Sequence, residues 1–203
     1  MTPIGSFFII LLAFALYGIV HSWLASMRFK AWLRGKLGEP RVQRYYRLVF
    51  NIIGTVTLIP ILWLAAVLPD RPAYVIPYPW RWLSYAGQLL GTWILWASLR
   101  QTGTTDFLGL GQLTQPEAKA PSLTVGGMYA WMRHPLYTGS MLALWLLPQM
   151  TSNLLALNLG ISLYFWIGAI FEERKLVRHF GRAYEDYRAR TPMFVPRPGG
   201  PAA

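Results

Sequence analysis

Five apolar runs alternate with polar segments along this chain, over residues 4–20, 48–68, 82–99, 135–150 and 154–171. A helix needs about 20 mostly apolar residues to span a bilayer, so the pattern predicts about five transmembrane helices. We therefore expect an all-α fold, a polytopic membrane helical bundle. A proline inside the second run predicts a kink there.

The polar segments between the runs predict three connectors. Residues 28–47 carry seven Lys/Arg and one acid, Glu39, and contain two glycines and a proline. They indicate a short interfacial helix and a turn. Residues 69–81 form a Pro- and Tyr-rich connector. Residues 100–132 form a polar loop of a length that is usually functional or disordered.

The C-terminal tail predicts an amphipathic helix. Leu176, Phe180, Tyr184 and Tyr187 recur at spacings of four, four and three, which places them on one helical face. Most basic residues of the tail fall elsewhere, as in helices that lie on a membrane surface. The Gly- and Pro-rich residues 197–203 are expected to be disordered.

Composition strengthens the membrane interpretation. Hydrophobic residues make up 54% of the chain and charged residues 13%, against about 25% charged in soluble domains. A length of 203 residues allows one compact bundle. We therefore expect a single domain over residues 1–203, with N-terminal helices in 1–99 and a hairpin with its tail in 100–196.

The net charge of +11 is unevenly distributed. Residues 28–47 and the tail hold seven basic residues each, and the 69–81 connector holds two. By the positive-inside rule, the first loop and the tail are cytoplasmic and the connector is outside. Charges placed in this way do not indicate a nucleic-acid partner. The absence of cysteine and the short loops favour a bacterial inner membrane.

Two polar clusters flank the last two runs. Arg133, His134 and Pro135 precede the fourth run, and Glu172 and Glu173 end the fifth. Because these runs form a hairpin, both clusters reach its cytoplasmic end. An ionisable pair beside lipid is costly and suggests function. Taken alone, however, the first cluster is better explained as a helix start with proline in its first turn, and the second as a solvated acidic pair.

The sequence lacks the residues needed for cysteine chemistry, for a metal site or for transport. The chain has no cysteine, which excludes disulfides, thiolate sites and cysteine nucleophiles. Its three histidines have no helical ligand spacing, and there is no carboxylate repeat or phosphate-binding loop, so no metal site is predicted. The apolar runs contain no charged residue, which argues against a transporter.

The combined motifs are more specific than their parts. Residues 127–139 read Gly-x-Tyr-x-x-x-Arg-His-Pro-x-Tyr-x-Gly, residues 172–176 read Glu-Glu-x-x-Leu, and residues 180–187 read Phe-Gly-x-x-Tyr-x-x-Tyr, before Pro192 and Pro196. This order resembles the isoprenylcysteine carboxyl methyltransferase and phospholipid methyltransferase superfamily. Its bacterial methanethiol S-methyltransferase branch is also similar at His21-Ser22, Ala25-Ser26, Lys30, 106–112 and 145–151.

The resemblance implies an S-adenosylmethionine-dependent membrane methyltransferase whose cofactor sits at the cytoplasmic end of the hairpin. It implies that Glu172 pairs with the cofactor's ammonium, that Arg133 or His134 meets its carboxylate, and that the tail closes the pocket. Arg133 and His134 are the candidate catalytic residues. The cofactor-binding candidates carried over are Leu123, Thr124, Tyr129, His134, Pro135, Leu136, Tyr137, Glu172, Glu173, Tyr184 and Tyr187.

The acceptor implied by the resemblance is a small thiol or a hydrophobic, membrane-dissolved molecule, methylated on sulfur or oxygen, with membrane lipid as a partner. Gly168 stands where isoprenylcysteine enzymes carry an arginine that anchors the substrate carboxylate. A prenylcysteine substrate is therefore not expected. The alternatives are a non-catalytic membrane scaffold that retains the fold and, less favoured, a transporter.

Overall fold

A computed structural model describes residues 1–114 and 122–196, so the predicted disordered end, 197–203, lies outside the described residues. The described part is nearly all helical, with one two-stranded sheet formed by β1 and β2. The elements in chain order are α1 (Pro3–Leu24), α2 (Met27–Leu37), α3 (Glu39–Val67), β1 (Pro72–Val75), α4 (Arg81–Thr102), α5 (Thr104–Leu108), α6 (Gly111–Thr114), α7 (Met128–Trp131), α8 (Pro135–Trp145), β2 (Gln149–Thr151), α9 (Ser152–Phe180) and α10 (Arg182–Arg190).

Three described helices, α1, α3 and α9, are long and apolar enough to cross a membrane. The protein is thus an integral membrane protein, whereas the predicted number of about five spans is not confirmed. The fourth apolar run is helical over only 11 residues, in α8. At 1.5 Å per residue this helix measures about 16 Å, roughly half the hydrocarbon thickness. Pro148 follows closely, and proline cannot continue a helix.

The described residues form two compact units, and the single-domain prediction stays a prediction. The first unit contains residues 1–72, 103–114 and 151–160. The second contains residues 73–102, 122–150 and 161–196.

Helix ends in the first unit are set by local capping. The Thr2 side chain accepts a hydrogen bond from the Gly5 amide at 3.2 Å and caps α1. Gly38, at φ +84°, separates α2 from α3, and Pro40 lies in the first turn of α3. The basic segment predicted as one interfacial helix and a turn is therefore α2 together with the start of α3. Helix α3 also runs uninterrupted through Pro60.

The first unit has a small interior and an apolar exterior. Large aliphatic and aromatic side chains cover the outward faces of α1 and α3, as expected for helices that contact lipid rather than water. Its buried apolar residues include Ile10, Phe14, Val42, Ile61, Ala156 and Leu157.

Asp70 caps the start of α9 from a distant part of the sequence. Its Oδ1 accepts hydrogen bonds from the Asn153 amide at 3.0 Å, the Ser152 hydroxyl at 2.7 Å and the Arg71 amide at 2.8 Å. Burial alone would raise the pKa of Asp70, but these hydrogen bonds outweigh it, so the pKa lies below its usual value of 3.8. The charged carboxylate also complements the positive end of the helix dipole.

Replacement of Asp70 by asparagine is expected to lower the thermal unfolding temperature in detergent, because it keeps the hydrogen-bond acceptor but removes a charge that contributes about 0.3–1 kcal/mol at the start of a helix. Because folding lowers this pKa, the contribution is present above pH 3.8 and is lost as the pH falls through the folded-state value. The difference between wild type and D70N should therefore shrink in acid. Asp186→Asn is the control, because that side chain makes no hydrogen bond among the described residues. A difference that is constant with pH would contradict the assignment.

In the second unit, α4 and α8 approach each other at two glycines. A Cβ atom added at Gly91 would lie 2.7 Å from the Gly139 carbonyl oxygen, and one added at Gly139 would lie 2.6 Å from the Gly91 carbonyl oxygen. Small residues allow such close helix contact within membranes. The Gln88 side chain adds a hydrogen bond to the Ala143 carbonyl at 3.1 Å. This contact fixes α8, which carries part of the candidate site.

The tail differs from the predicted single amphipathic helix. Helix α9 continues past Glu172 to Phe180, Gly181 at φ +55° interrupts it, and α10 follows. The four residues of the predicted face are thus divided between two helices. Tyr184 and Tyr187 are buried within the protein, whereas Leu176 and Phe180 are half-buried, so the part of this face on α10 packs against protein rather than lying on the membrane surface.

Candidate active site

A buried ion pair joins the segment before α8 to α9. The Arg133 Nε lies 2.6 Å from the Glu173 Oε1, and both side chains are about 90% buried, with exposures of 10% and 9%. The Arg133 Nη1 also donates to the backbone carbonyls of Arg188, at 3.0 Å, and Thr191. The guanidinium therefore fastens the end of α10 to the site, and its charge is balanced by Glu173.

His134 lies between two carboxylates. Its Nε2 is 3.2 Å from the Glu173 Oε1, and its Nδ1 is 3.7 Å from the Glu172 Oε2. The histidine is the residue before the first turn of α8, and its side chain is buried. Its ring stacks in parallel on Tyr137, with 5.4 Å between centroids. These contacts fix the orientation of the imidazole.

The two adjacent glutamates have different environments. Glu173 is buried and bound to Arg133 and His134, whereas 49% of the Glu172 side chain is exposed. The Tyr137 hydroxyl donates to the Glu172 Oε2 at 3.0 Å, and Phe165 stacks on the Tyr137 ring with 4.7 Å between centroids. The cluster thus presents one oriented, accessible carboxylate that is able to bind a cationic group.

An irregular segment after α10, residues 191–194, lies along the start of α8. We call it the C-terminal strap. The Arg133 and His134 amides donate to the carbonyls of Pro192 and Met193 at 2.9 and 3.1 Å. The Thr138 hydroxyl donates to the Phe194 carbonyl at 2.9 Å. Sequence reasoning missed these partners, although Pro192 signals a segment that cannot be helical and so leaves carbonyl groups available.

The tyrosines of the site remain protonated at neutral pH. Burial raises the pKa of Tyr187 to about 12, and its hydroxyl donates to the Tyr129 carbonyl at 2.6 Å. Burial, followed by the charge of Glu172, raises the pKa of Tyr129. Burial, followed by the charge of Glu173, raises that of Tyr184, whose hydroxyl has no hydrogen-bond partner within the described ranges. None of these phenols is suited to act as a base.

The structure brings together most of the predicted site residues. Arg133, His134, Tyr137, Glu172 and Glu173 form one contact network. A tyrosine group, Tyr129, Tyr184 and Tyr187, is linked by a hydrogen bond and a ring contact. Pro135 is buried and Leu136 half-buried in the first turn of α8. Leu123 and Thr124 precede α7, and the described contacts join neither of them to the network.

Gly127 shapes the turn that leads into α7. Its φ of +58° and ψ of −126° suit glycine alone. A Cβ atom there would also overlap the Gln101 side chain, whose Oε1 accepts a hydrogen bond from the Met128 amide at 3.0 Å. The glycine therefore allows α4 to hold the segment that carries Tyr129.

Replacement of Gly127 by alanine is expected to cost about 2 kcal/mol of stability, through backbone strain and the displacement of Gln101. Thermal unfolding of the purified protein in detergent measures this. Gly126→Ala is a matched control, because a Cβ atom there meets nothing within 4 Å and the backbone is not in the left-handed region. Equal unfolding temperatures for the two variants would contradict this role of Gly127.

Comparison with known proteins shows what this chain is similar to. Residues 80–183 match the phospholipid methyltransferase family. Methanethiol S-methyltransferase 2 of Bradyrhizobium diazoefficiens is 33% identical over 92% of this chain and 72% of its own length. Methanethiol S-methyltransferase of Mycobacterium tuberculosis is 28% identical over 97% of this chain and 81% of its own. Protein-S-isoprenylcysteine O-methyltransferase of Schizosaccharomyces pombe is 31% identical over 49% and 50%. No solved structure matches.

Proposed function

The chain belongs to the phospholipid methyltransferase family, and from this membership we propose that it is an S-adenosylmethionine-dependent membrane enzyme that methylates the sulfur of a small thiol. The observation that carries the proposal is the pair Glu172 and Glu173. The Glu173 carboxylate binds the buried side chain of Arg133, whereas the Glu172 carboxylate is oriented by Tyr137 and is accessible. Both lie within the residues matched to the family.

The charges of the cluster fit an amino-acid group such as the methionine part of the cofactor. Glu172 would bind its ammonium, and such charge-assisted hydrogen bonds are about twice as strong as neutral ones. Because Glu173 already balances Arg133, and His134 is buried between Glu172 and Glu173, we treat Arg133 and His134 as residues that position Glu172. When bound, S-adenosylmethionine supplies a methyl group activated by a sulfonium.

In this proposal the protein holds the cofactor and the acceptor in position and excludes water from them. The Tyr129 ring offers a π face to a cation, an attraction of about 1–2 kcal/mol when it is desolvated, whereas the Tyr137 ring is already stacked on His134 and Phe165. Orientation of two reactants can lower a barrier by roughly 7–11 kcal/mol. A thiolate acceptor needs no general base.

A small thiol is the acceptor that the relatives favour. The two methanethiol enzymes of Bradyrhizobium diazoefficiens and Mycobacterium tuberculosis align with more than 90% of this chain, and the prenylcysteine enzyme with about half. Gly168 agrees with this preference, because it provides no arginine anchor and a Cβ atom there would meet open space. A lipophilic, membrane-dissolved acceptor is the second candidate, supported by the prenylcysteine relative.

Binding of the cofactor tests the proposal against a non-catalytic scaffold that retains the family fold. Isothermal titration of S-adenosylmethionine into the purified full chain in detergent should give saturable binding with one site per chain. Adenosine, which lacks the amino-acid group, should bind much more weakly. If S-adenosylmethionine produces no saturable heat while the protein unfolds cooperatively, the scaffold is the correct interpretation.

We also propose that the site faces the cytoplasm of a bacterial inner membrane. In this arrangement α4 is a further crossing, and α8 completes another together with the extended residues 146–151. The basic segment with α2 and the tail then lie inside, as the positive-inside rule requires. Because the chain lacks cysteine, the variants Val75→Cys and Lys36→Cys test this in intact cells. An impermeant thiol reagent should label only V75C; labelling of K36C alone would contradict the orientation.

A further inference from the structure

An apolar cavity that is open to its surroundings lies between the first half of α4 and the end of α8, and its lining residues Trp80 and Leu83 are largely exposed. Its volume is about 570 Å³, within the range of ligand-binding pockets. The lining is almost entirely aliphatic and aromatic, and includes Trp80, Leu83, Gly87, Leu142 and Leu146. Such a lining offers water few hydrogen-bond partners, so the cavity suits hydrocarbon.

This cavity is separate from the candidate active site. His134 precedes the first turn of α8, whereas Leu146 follows its last turn. Twelve residues of helix place these positions about 18 Å apart along the axis. The cavity therefore lies toward the other end of α8 from Glu172 and its partners.

An unbalanced cation adjoins the cavity. Arg81 begins α4, directly after the lining residue Trp80, and its Nε donates to the carbonyl of the lining residue Ile76 at 2.6 Å. No carboxylate forms an ion pair with Arg81 in the part of the chain that the structure describes. Tyr78 and Trp82 beside it are largely exposed, as in the aromatic belts found at membrane–water interfaces.

We propose that the cavity binds one acyl chain of a bilayer phospholipid, whose phosphate pairs with Arg81. The apolar lining of the cavity suits a hydrocarbon chain. The Arg81 guanidinium, which has no carboxylate partner among the described residues, complements a phosphate. A phospholipid supplies both at the depth of an interfacial aromatic belt. This site is independent of the proposed methyl transfer.

Intact-protein mass spectrometry of the full chain in detergent tests the proposal, with phosphatidylglycerol as the probe. Wild type should retain one lipid. Ala86→Trp fills the cavity and should weaken retention at least tenfold. Leu89→Trp is the matched control on the same helix, because Leu89 is 72% exposed and does not line the cavity. Equal retention by A86W and L89W would overturn the proposal, as would a dimer in place of the lipid adduct.

The phosphate contact has its own test. Arg81→Gln should reduce retention of phosphatidylglycerol several-fold while retention of diacylglycerol, which lacks the phosphate, stays unchanged. Arg100→Gln at the far end of α4 is the control and should behave as wild type. If R81Q weakens both lipids equally, or neither, the assignment of the phosphate to Arg81 is wrong.

Discussion

Replacement of Glu172 by glutamine is expected to weaken S-adenosylmethionine binding about tenfold and to leave the fold unchanged. Glutamine keeps the shape of the side chain and an oxygen that accepts from Tyr137, but it removes the charge that would bind the ammonium. A hydrogen bond to a charged group contributes about 1.5–3 kcal/mol. Because the Glu172 side chain is half exposed, we take the lower end of that range, which corresponds to roughly a factor of ten.

Isothermal titration and thermal unfolding of the same preparation separate affinity from stability. Glu185→Gln is the matched control, because it removes an exposed acidic charge of α10 that is outside the contact network. E185Q should bind as wild type does. Equal affinity of E172Q and E185Q, with both proteins folded, would remove Glu172 from the cofactor site.

Changes to the buried pair Arg133 and Glu173 are expected to lower the stability of the protein, unlike the change to Glu172, which lowers cofactor affinity and leaves the fold unchanged. Arg133→Gln or Glu173→Gln each leaves one charge without its partner in a site that is about 90% buried. Breaking a buried ion pair on one side costs about 3–5 kcal/mol. For a chain of this size that corresponds to a fall in the unfolding temperature of roughly 10 °C. The Arg133 bonds to the carbonyls of Arg188 and Thr191 would be lost as well.

The exposed pair Arg34 and Glu39, 2.9 Å apart, provides the control. Its side chains are 39% and 50% exposed, and such surface pairs contribute 0–1 kcal/mol. Arg34→Gln should therefore shift the unfolding temperature by only a few degrees. The double variant R133Q/E173Q should be more stable than the sum of its single changes predicts, because the two residues are in direct contact. Strict additivity would contradict the ion pair.

The sequence predicted that the two polar clusters would meet, because a helical hairpin brings the start of one helix to the end of the next. It did not predict which glutamate is available. Glu172 and Glu173 are neighbours on α9, and successive helical residues point about 100° apart. Which of them is buried depends on the position of Arg133, and the strap holds Arg133 through its backbone amide.

The residues at which helices begin and end were harder to predict from the sequence than the apolar runs. Hydropathy reports burial in lipid rather than the ends of helices, so the polar first turns of α3, which begins at Glu39, were not expected. The spacing of Leu176, Phe180, Tyr184 and Tyr187 indicated one helix, although Gly181 was a visible signal of a break. Similarly, Pro148 explains why the fourth apolar run is not helical throughout.

Methyl transfer itself is the most direct test of the proposed function. Purified full-length protein is incubated with S-adenosylmethionine that carries a labelled methyl group, and with methanethiol as acceptor. Wild type and E185Q should form a labelled volatile thioether, and E172Q should form much less of it at subsaturating cofactor. The proposed function would be contradicted if a protein that binds the cofactor transferred no label to methanethiol, to longer alkanethiols or to extracted membrane lipids.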